Sequence, residues 1–272
     1  MAAETNKKAI GVFDSGLGGL TAVKELMEKN RGEKIVYFGD TARVPYGSHD
    51  FGTILTYARQ DLRAILSKNV KAVLVACGTV SSTSLGYLKS MTDVPIYGVV
   101  EPAVCRALEL TENKKVAVIA TAATIESHAY RNAILSRDAF VSVFEFACPL
   151  FVPLVENGHI GADDRIANVV AEEYAKKINT FGADTVILGC THYPIIKNVI
   201  QKHIHAAHFI EAGKEAADYL LRNGDFLHSD AADTAENEFY VSGSVDEFHK
   251  TAHIFLGDAG PLNIQKLNIE EF

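Results

Sequence analysis

No stretch of this 272-residue sequence approaches the roughly 18 consecutive apolar residues that span a bilayer, so a helical membrane span is not expected. Basic residues are also scarce. Lys and Arg number 26 against 34 Asp and Glu, a formal net charge of −8. With no basic face to displace counterions, broad binding to nucleic acid is not expected. Cysteines number four, too few for a disulfide scaffold in a chain of this size. Met1–Lys8 lacks the apolar segment and cleavage site of a secretory signal, so a cytoplasmic location with reduced thiols is expected. No CxxC or HxxxH spacing accompanies the cysteines and histidines, and no metal site is expected.

What remains is an ordinary globular composition, 48% hydrophobic and 22% charged, with apolar side chains enough for one large domain or two. Strand-like runs rich in Val, Ile, Tyr and Phe recur along the chain. They are Ala9–Phe13, Lys34–Phe38, Val70–Ala76, Pro95–Val99, Lys115–Ala120, Phe140–Phe146, Asp184–Leu188 and Phe239–Ser242. Their near-continuous apolar character predicts a parallel sheet covered on both faces. Helical patterns alternate with them. In Thr53–Asn69, Ile54, Ala58, Leu62, Ile65 and Leu66 recur at helical spacing, and Ser244-Val-Asp-Glu247 has the form of a capping box. The alternation predicts an α/β architecture.

Two cysteines stand in matching contexts. Cys77 closes the run Val73–Cys77, and Cys190 closes Thr185–Cys190; each is followed by small and hydroxyl residues and then a helical pattern. The carboxyl end of a parallel strand is where open α/β sheets bind ligands. An earlier strand in each half also ends in small and hydroxyl residues, Asp14-Ser15-Gly16 in one and Thr121-Ala122 in the other. This approximate duplication predicts two pseudo-symmetric modules, with a boundary near Val99–Pro102 and the second running to about His208. Facing each other, they would place both thiols over one cleft. Two thiols so presented point to paired acid/base or nucleophilic chemistry.

The neighbouring residues add detail. The glycine-rich turn Phe13-Asp14-Ser15-Gly16-Leu17-Gly18-Gly19 lets a ligand approach backbone N–H groups. It resembles a dinucleotide fingerprint only in part, because Thr21 stands where the third glycine belongs. Asp14 is placed either to cap the helix or to hold an ammonium group and assist proton transfer. Pro45-Tyr46-Gly47 reads as a turn that also suits a substrate-contacting loop. A cysteine at a helix amino terminus is expected to have a pKa lowered toward neutrality, and His192 is placed to tune Cys190 or relay its proton. A Cys–His hydrolase is compatible with the second site but leaves Cys77 unexplained.

At these motifs the chain resembles the glutamate racemases. The resemblance runs through Asp14–Gly19, Pro45-Tyr46-Gly47, Ala76-Cys77, Val152–Gly158, Gly189-Cys190-Thr191-His192-Tyr193-Pro194 and Tyr240–Gly243. The Gly-Cys-Thr-His run is its specific part, since related aspartate racemases usually carry glutamate at the position of His192. It implies a cofactor-independent racemisation of glutamate that supplies peptidoglycan synthesis. One thiolate removes the α-proton while the other thiol protonates the opposite face. By the family's pattern Cys77 acts on the D-enantiomer, supported by Asp14, and Cys190 on the L-enantiomer, supported by His192 and Glu156. Charge developing on the substrate carboxylate needs preorganised donors. Ser15, Thr79, Thr121, Thr124 and Thr191 are the candidates, beside Pro45, Tyr46, Gly47 and the Gly78 backbone. The resemblance also implies a homodimer and a discontinuous first domain, 1–99 plus 210–272, around a second at 100–209. Two departures stand out: Gly78 replaces the usual Asn after the first cysteine, and Ser48-His49 replaces the usual pair after Pro-Tyr-Gly. A racemase of aspartate or another acidic amino acid remains an alternative, as do a thiol hydrolase and a non-catalytic amino-acid-binding module.

Overall fold

The computed structural model describes residues 8–29, 33–224, 236–257 and 260–272, and among these the chain forms two parallel sheets. The first half runs β1 (Ala9–Asp14), α1 (Leu20–Lys29), β2 (Ile35–Gly39), α2 (Phe51–Leu66), β3 (Val70–Val75), α3 (Gly78–Thr83), α4 (Leu85–Lys89) and β4 (Ile96–Gly98). Then come α5 (Val100–Leu110), β5 (Lys115–Ala120), α6 (Ala122–Glu126), α7 (Ala129–Arg137), β6 (Ser142–Ala147) and α8 (Phe151–Glu156). The second sheet is completed through α9 (Arg165–Phe181), β7 (Thr185–Leu188), α10 (Lys197–His203) and β8 (His208–Glu211). The chain ends with α11 (Ala212–Asn223), β9 (Glu238–Val241), α12 (Val245–Leu256) and β10 (Asn263–Lys266).

The larger sheet has the order β10-β9-β2-β1-β3-β4, and the smaller β6-β5-β7-β8. Strands 115–211 make the smaller sheet, while the larger draws on both ends of the chain. Along β1, successive side chains enter different cores. Ile10 and Val12 join the cluster that continues into the smaller sheet through Val116, Val118 and Ile187. Phe13 joins the opposite cluster, with Phe38, Val73, Val75 and the α2 residues Ile54, Ala58, Leu62 and Ile65. Both faces of the central strands are therefore covered, as their apolar runs require.

Helix starts follow local chemistry. Asp50 caps α2 by accepting from the Thr53 amide (3.1 Å), and Ser244 caps α12 by accepting from the Glu247 amide (3.2 Å). The eight expected strands form, with ends shifted by a residue or two. The largest shift is at β6, which starts at Ser142 rather than Phe140. The Phe140 amide donates to Asp138 Oδ1 (2.9 Å), a side-chain turn that breaks extension and leaves the Phe140 ring in solvent. Two strands, β8 and β10, were not expected. Both are four-residue strands at sheet edges, with the mixed polar and apolar sequences His-Phe-Ile-Glu and Asn-Ile-Gln-Lys.

Candidate active site

The carboxyl ends of β1, β3, β5 and β7 face one another across a narrow cavity between the two sheets. Strand β3 is wholly buried and delivers Cys77 as the residue before α3. The turn is held because Ser81 Oγ donates to the Val75 carbonyl (2.8 Å) and accepts from the Val99 amide (3.3 Å). Strand β7 delivers Cys190 from the other side. Pairing with β5 continues one residue past it, the Gly189 amide donating to the Ile119 carbonyl (2.8 Å). Both sulfurs line the same cavity.

Their surroundings differ. The Cys77 thiol lies 3.4 Å from Ser15 Oγ. Burial pushes it up to about 12, and the nearby Asp14 carboxyl adds to the rise. This overturns the expectation of a lowered pKa at a helix start. Helix α3 is only six residues long, and contacts with Ser15 and the Val80 amide do not outweigh the loss of water. Asp14 is fully buried, and desolvation raises its pKa, partly offset by His192 and nearby amides. Its Oδ2 accepts from the Gly16 amide (3.0 Å), whereas Oδ1 has no hydrogen bond among the described residues. The same turn is tied down by Tyr37, whose hydroxyl donates to the Gly16 carbonyl (2.7 Å).

Cys190 faces a histidine instead. Its Sγ lies 3.9 Å from His192 Nδ1, and His192 Nε2 lies 3.2 Å from Glu156 Oε1 at the end of α8. Burial alone would depress the imidazole, but hydrogen bonds to Cys190 and Glu156 overcome it and hold the pKa at about 10. Near neutral pH both ring nitrogens then carry protons, one directed at the sulfur and one at the carboxylate. The ring stands edge-on to Phe255 of α12, with centroids 5.7 Å apart, so an aromatic side chain of the larger-sheet half braces it. No α-helix starts at Cys190, contrary to expectation. Pro194 directs the chain into a short 3-10 turn, Tyr193–Ile196, anchored by the Tyr193 hydroxyl on the Cys148 carbonyl (2.9 Å).

Hydroxyls bridge the two halves. Thr79 Oγ1 and Thr121 Oγ1 are 3.0 Å apart, and Thr121 Oγ1 lies 3.0 Å from Thr124 Oγ1. Ser15, Thr79, Thr121 and Thr191 line the cavity, as do Pro45, Tyr46, Gly47 and Gly78. Asp14, Thr124 and Glu156 do not: each stands one residue behind the wall and reaches the cavity through a neighbour. Val44, Val152 and Gly189 also line it; they lie beside or within the sequence motifs but carried no expected site role, because apolar residues have no chemical signature in a sequence. Cys105 and Cys148 lie outside the cavity. At Gly78 the two halves meet so closely that a β-carbon would stand 2.2 Å from the Gly189 carbonyl oxygen. Among the described residues no helix is long and apolar enough to cross a membrane.

Arranged in this way, two thiols on opposing strand ends, each with a distinct proton partner, can exchange protons with the two faces of a bound carbon acid. Comparison with known proteins bears on which one. Residues 23–220 match the family described as Asp/Glu/Hydantoin racemase. A glutamate racemase of Persephonella marina is 38% identical over 263 residues, 97% of this chain and 98% of that protein. The crystal structure of the Francisella tularensis glutamate racemase with D-glutamate superposes with a TM-score of 0.90 at 33% identity, covering 98% of this chain and all of that one. The Thermus thermophilus glutamate racemase with β-chloro-D-alanine gives a TM-score of 0.86 at 36% identity, covering 98% and 99%.

Proposed function

This chain belongs to the Asp/Glu/Hydantoin racemase family, among its glutamate racemases, and we propose that it interconverts L- and D-glutamate by proton transfer at the α-carbon. The observation that carries the reading is the pair Cys77 and Cys190, delivered to one cavity from the ends of β3 and β7. Inversion of a stereocentre without a carbonyl cofactor needs an acid and a base on opposite faces, each able to serve in either role.

The two sulfurs have different partners. Cys77, its pKa pushed up to about 12, is a thiol at neutral pH and ready to donate. Cys190 faces Nδ1 of a charged His192, 3.9 Å away. In one direction Cys190 takes the proton from L-glutamate and Cys77 delivers one to the opposite face. In the reverse direction Cys77 must first lose its proton. Asp14 stands behind Cys77 and Glu156 behind His192, holding these protons in place. Ser15, Thr79, Thr121 and Thr191, with the Gly78 backbone, are positioned to bind the carboxylates, where charge develops as the α-proton leaves. Thr124 acts through Thr121.

The same reading assigns the product to peptidoglycan synthesis in the cytoplasm, by a homodimer. It divides the chain into 1–99 with 210–272 and 100–209; sheet membership supports this except that β8 carries the smaller sheet on to Glu211. The test is deuterium exchange. Purified protein in deuterated buffer, without pyridoxal phosphate or added metal, should place solvent deuterium at the α-carbon of both glutamate enantiomers. Cys77→Ser and Cys190→Ser should each lose racemisation by about a thousandfold or more. Exchange on aspartate but not on glutamate would move the assignment to another acidic amino acid. No exchange, with acylation of Cys190 by an amide substrate, would replace it with a hydrolase.

A further inference from the structure

Behind the cavity loop lies a buried cluster that the proton-transfer chemistry does not use. The Tyr46 hydroxyl sits between two carboxylates, hydrogen-bonded to Asp40 Oδ2 and 2.9 Å from Asp61 Oδ2. Asp40 follows β2 and Asp61 lies within α2; both are fully buried. Arg43 reaches over them, with Nε donating to Asp40 Oδ2 (2.6 Å) and a second nitrogen 3.3 Å from Asp61 Oδ1. Its remaining nitrogen donates to Gln60 (2.6 Å), and the guanidinium stacks on Tyr57 at 4.1 Å.

A count of protons fixes the pattern. A phenol has one proton and can donate to only one of two acceptors. Asp40 has three donors: Arg43 and Tyr46 on Oδ2, and Ser242 Oγ on Oδ1 (2.7 Å). The Ser242 oxygen itself accepts from the Ala42 amide (2.9 Å), which directs its proton to Asp40. Asp61 Oδ2 has only the Tyr46 oxygen, and two bare oxygens 2.9 Å apart would repel. We infer that Asp61 is a neutral carboxylic acid that donates to Tyr46, completing a proton-ordered chain Asp61–Tyr46–Asp40 that positions the Pro45–Gly47 loop for substrate. Desolvation, then Asp40, drive the Asp61 pKa well above its ordinary value, with Asp14 adding to the rise and Arg43 and Tyr46 opposing it. The ionisable groups facing Asp61 are Asp40, Arg43 and Tyr46 from the segment between β2 and α2, and Asp14 from β1.

The chain matters at the cavity because Tyr46 and Gly47 line it. Gly47 packs so tightly on Thr121 that a β-carbon there would stand 2.6 Å from Thr121 Cβ. Asp61 is therefore a positioning residue: it fixes the loop that closes on the hydroxyl bridge of the other half. This role rests on the racemase reading, but the protonation state does not.

Infrared spectra of the substrate-free protein at about pH 8, where ordinary carboxylates are ionised, separate the two. Wild type should show the carbonyl band of a protonated carboxylic acid that is missing in Asp61→Asn and displaced in Tyr46→Phe, which removes the hydroxyl it donates to. Asp61→Asn keeps a donor and an acceptor, so racemisation should stay within about threefold of wild type. Asp61→Ala should raise KM by about tenfold with a smaller change in kcat. Identical carbonyl bands in wild type and both variants, or equal losses in Asp61→Asn and Asp61→Ala, would overturn the proposal. Should Asp61→Asn fail to fold, the band and its displacement in Tyr46→Phe decide alone.

Discussion

The carbonyl oxygen of Gly189 occupies the space that a side chain on Gly78 would need, 2.2 Å from its ideal β-carbon. Gly78 follows one thiol residue and Gly189 precedes the other. The contact therefore limits how closely the two thiol-bearing turns approach. A backbone carbonyl cannot swing aside as a flexible side chain can, so any substitution at Gly78 must part the two halves.

Gly78→Ala and Gly78→Asn should accordingly lower kcat/KM for glutamate by about tenfold to a hundredfold, the loss expected from misplacing reacting groups by an ångström. Thermal unfolding measured alongside should change little, because the strain is relieved by opening the cleft rather than by unpacking a core. Full activity in Gly78→Asn would show that the closed contact is not part of the working state.

The Cys77 proton should show in the alkaline limb of the pH profile. Burial holds it to about pH 12 in the empty site, against 9.0 for an ordinary thiol. Because the enantiomers interconvert with an equilibrium constant of one, kcat/KM must follow the same pH dependence from L- and from D-glutamate. Neither should fall with an ordinary thiol's pKa. Initial rates from each enantiomer, measured by circular dichroism across the alkaline range, check this; a common decline centred near pH 9.0 would refute it.

His192 ties pH to stability. Folding raises its pKa from 6.5 to about 10, so the folded state holds this proton more tightly than the unfolded chain. The corresponding stabilisation is complete below about pH 6.5 and is lost as pH rises toward 10. Denaturant unfolding should show wild type losing stability through that window relative to its value at lower pH. His192→Gln, which has no such proton, should show a flatter curve over the same range.

Much of this was legible in the sequence, for identifiable reasons. A buried parallel strand must be apolar on both faces, and so β1, β3, β5 and β7 announced themselves. The edge strands β8 and β10 are four residues each and mix polar with apolar residues, so they looked like loop. The two thiols stood out because each ends such an apolar run, and the structure brings both to one cavity. Their ionisation was not legible. A helix start argues for a lowered thiol pKa, but burial depends on what the other half of the chain covers, and for Cys77 burial prevails. Asp61 was equally hidden. A single aspartate within an amphipathic helix resembles any solvated residue until Tyr46 and Asp40 are seen against it.

The smaller sheet is threaded into the larger one at two places, through α5 on the way out and α11 on the way back, and these two helices pack against each other. Two adjacent covalent tethers hold the sheets together on one side, where a shared core also joins them. The side away from these helices, where the Pro45–Gly47 loop meets Thr121, carries no covalent link between the halves. A covalent cross-link tying α5 to α11 should leave turnover intact, whereas one joining the Gly47 and Thr121 loops should stop it.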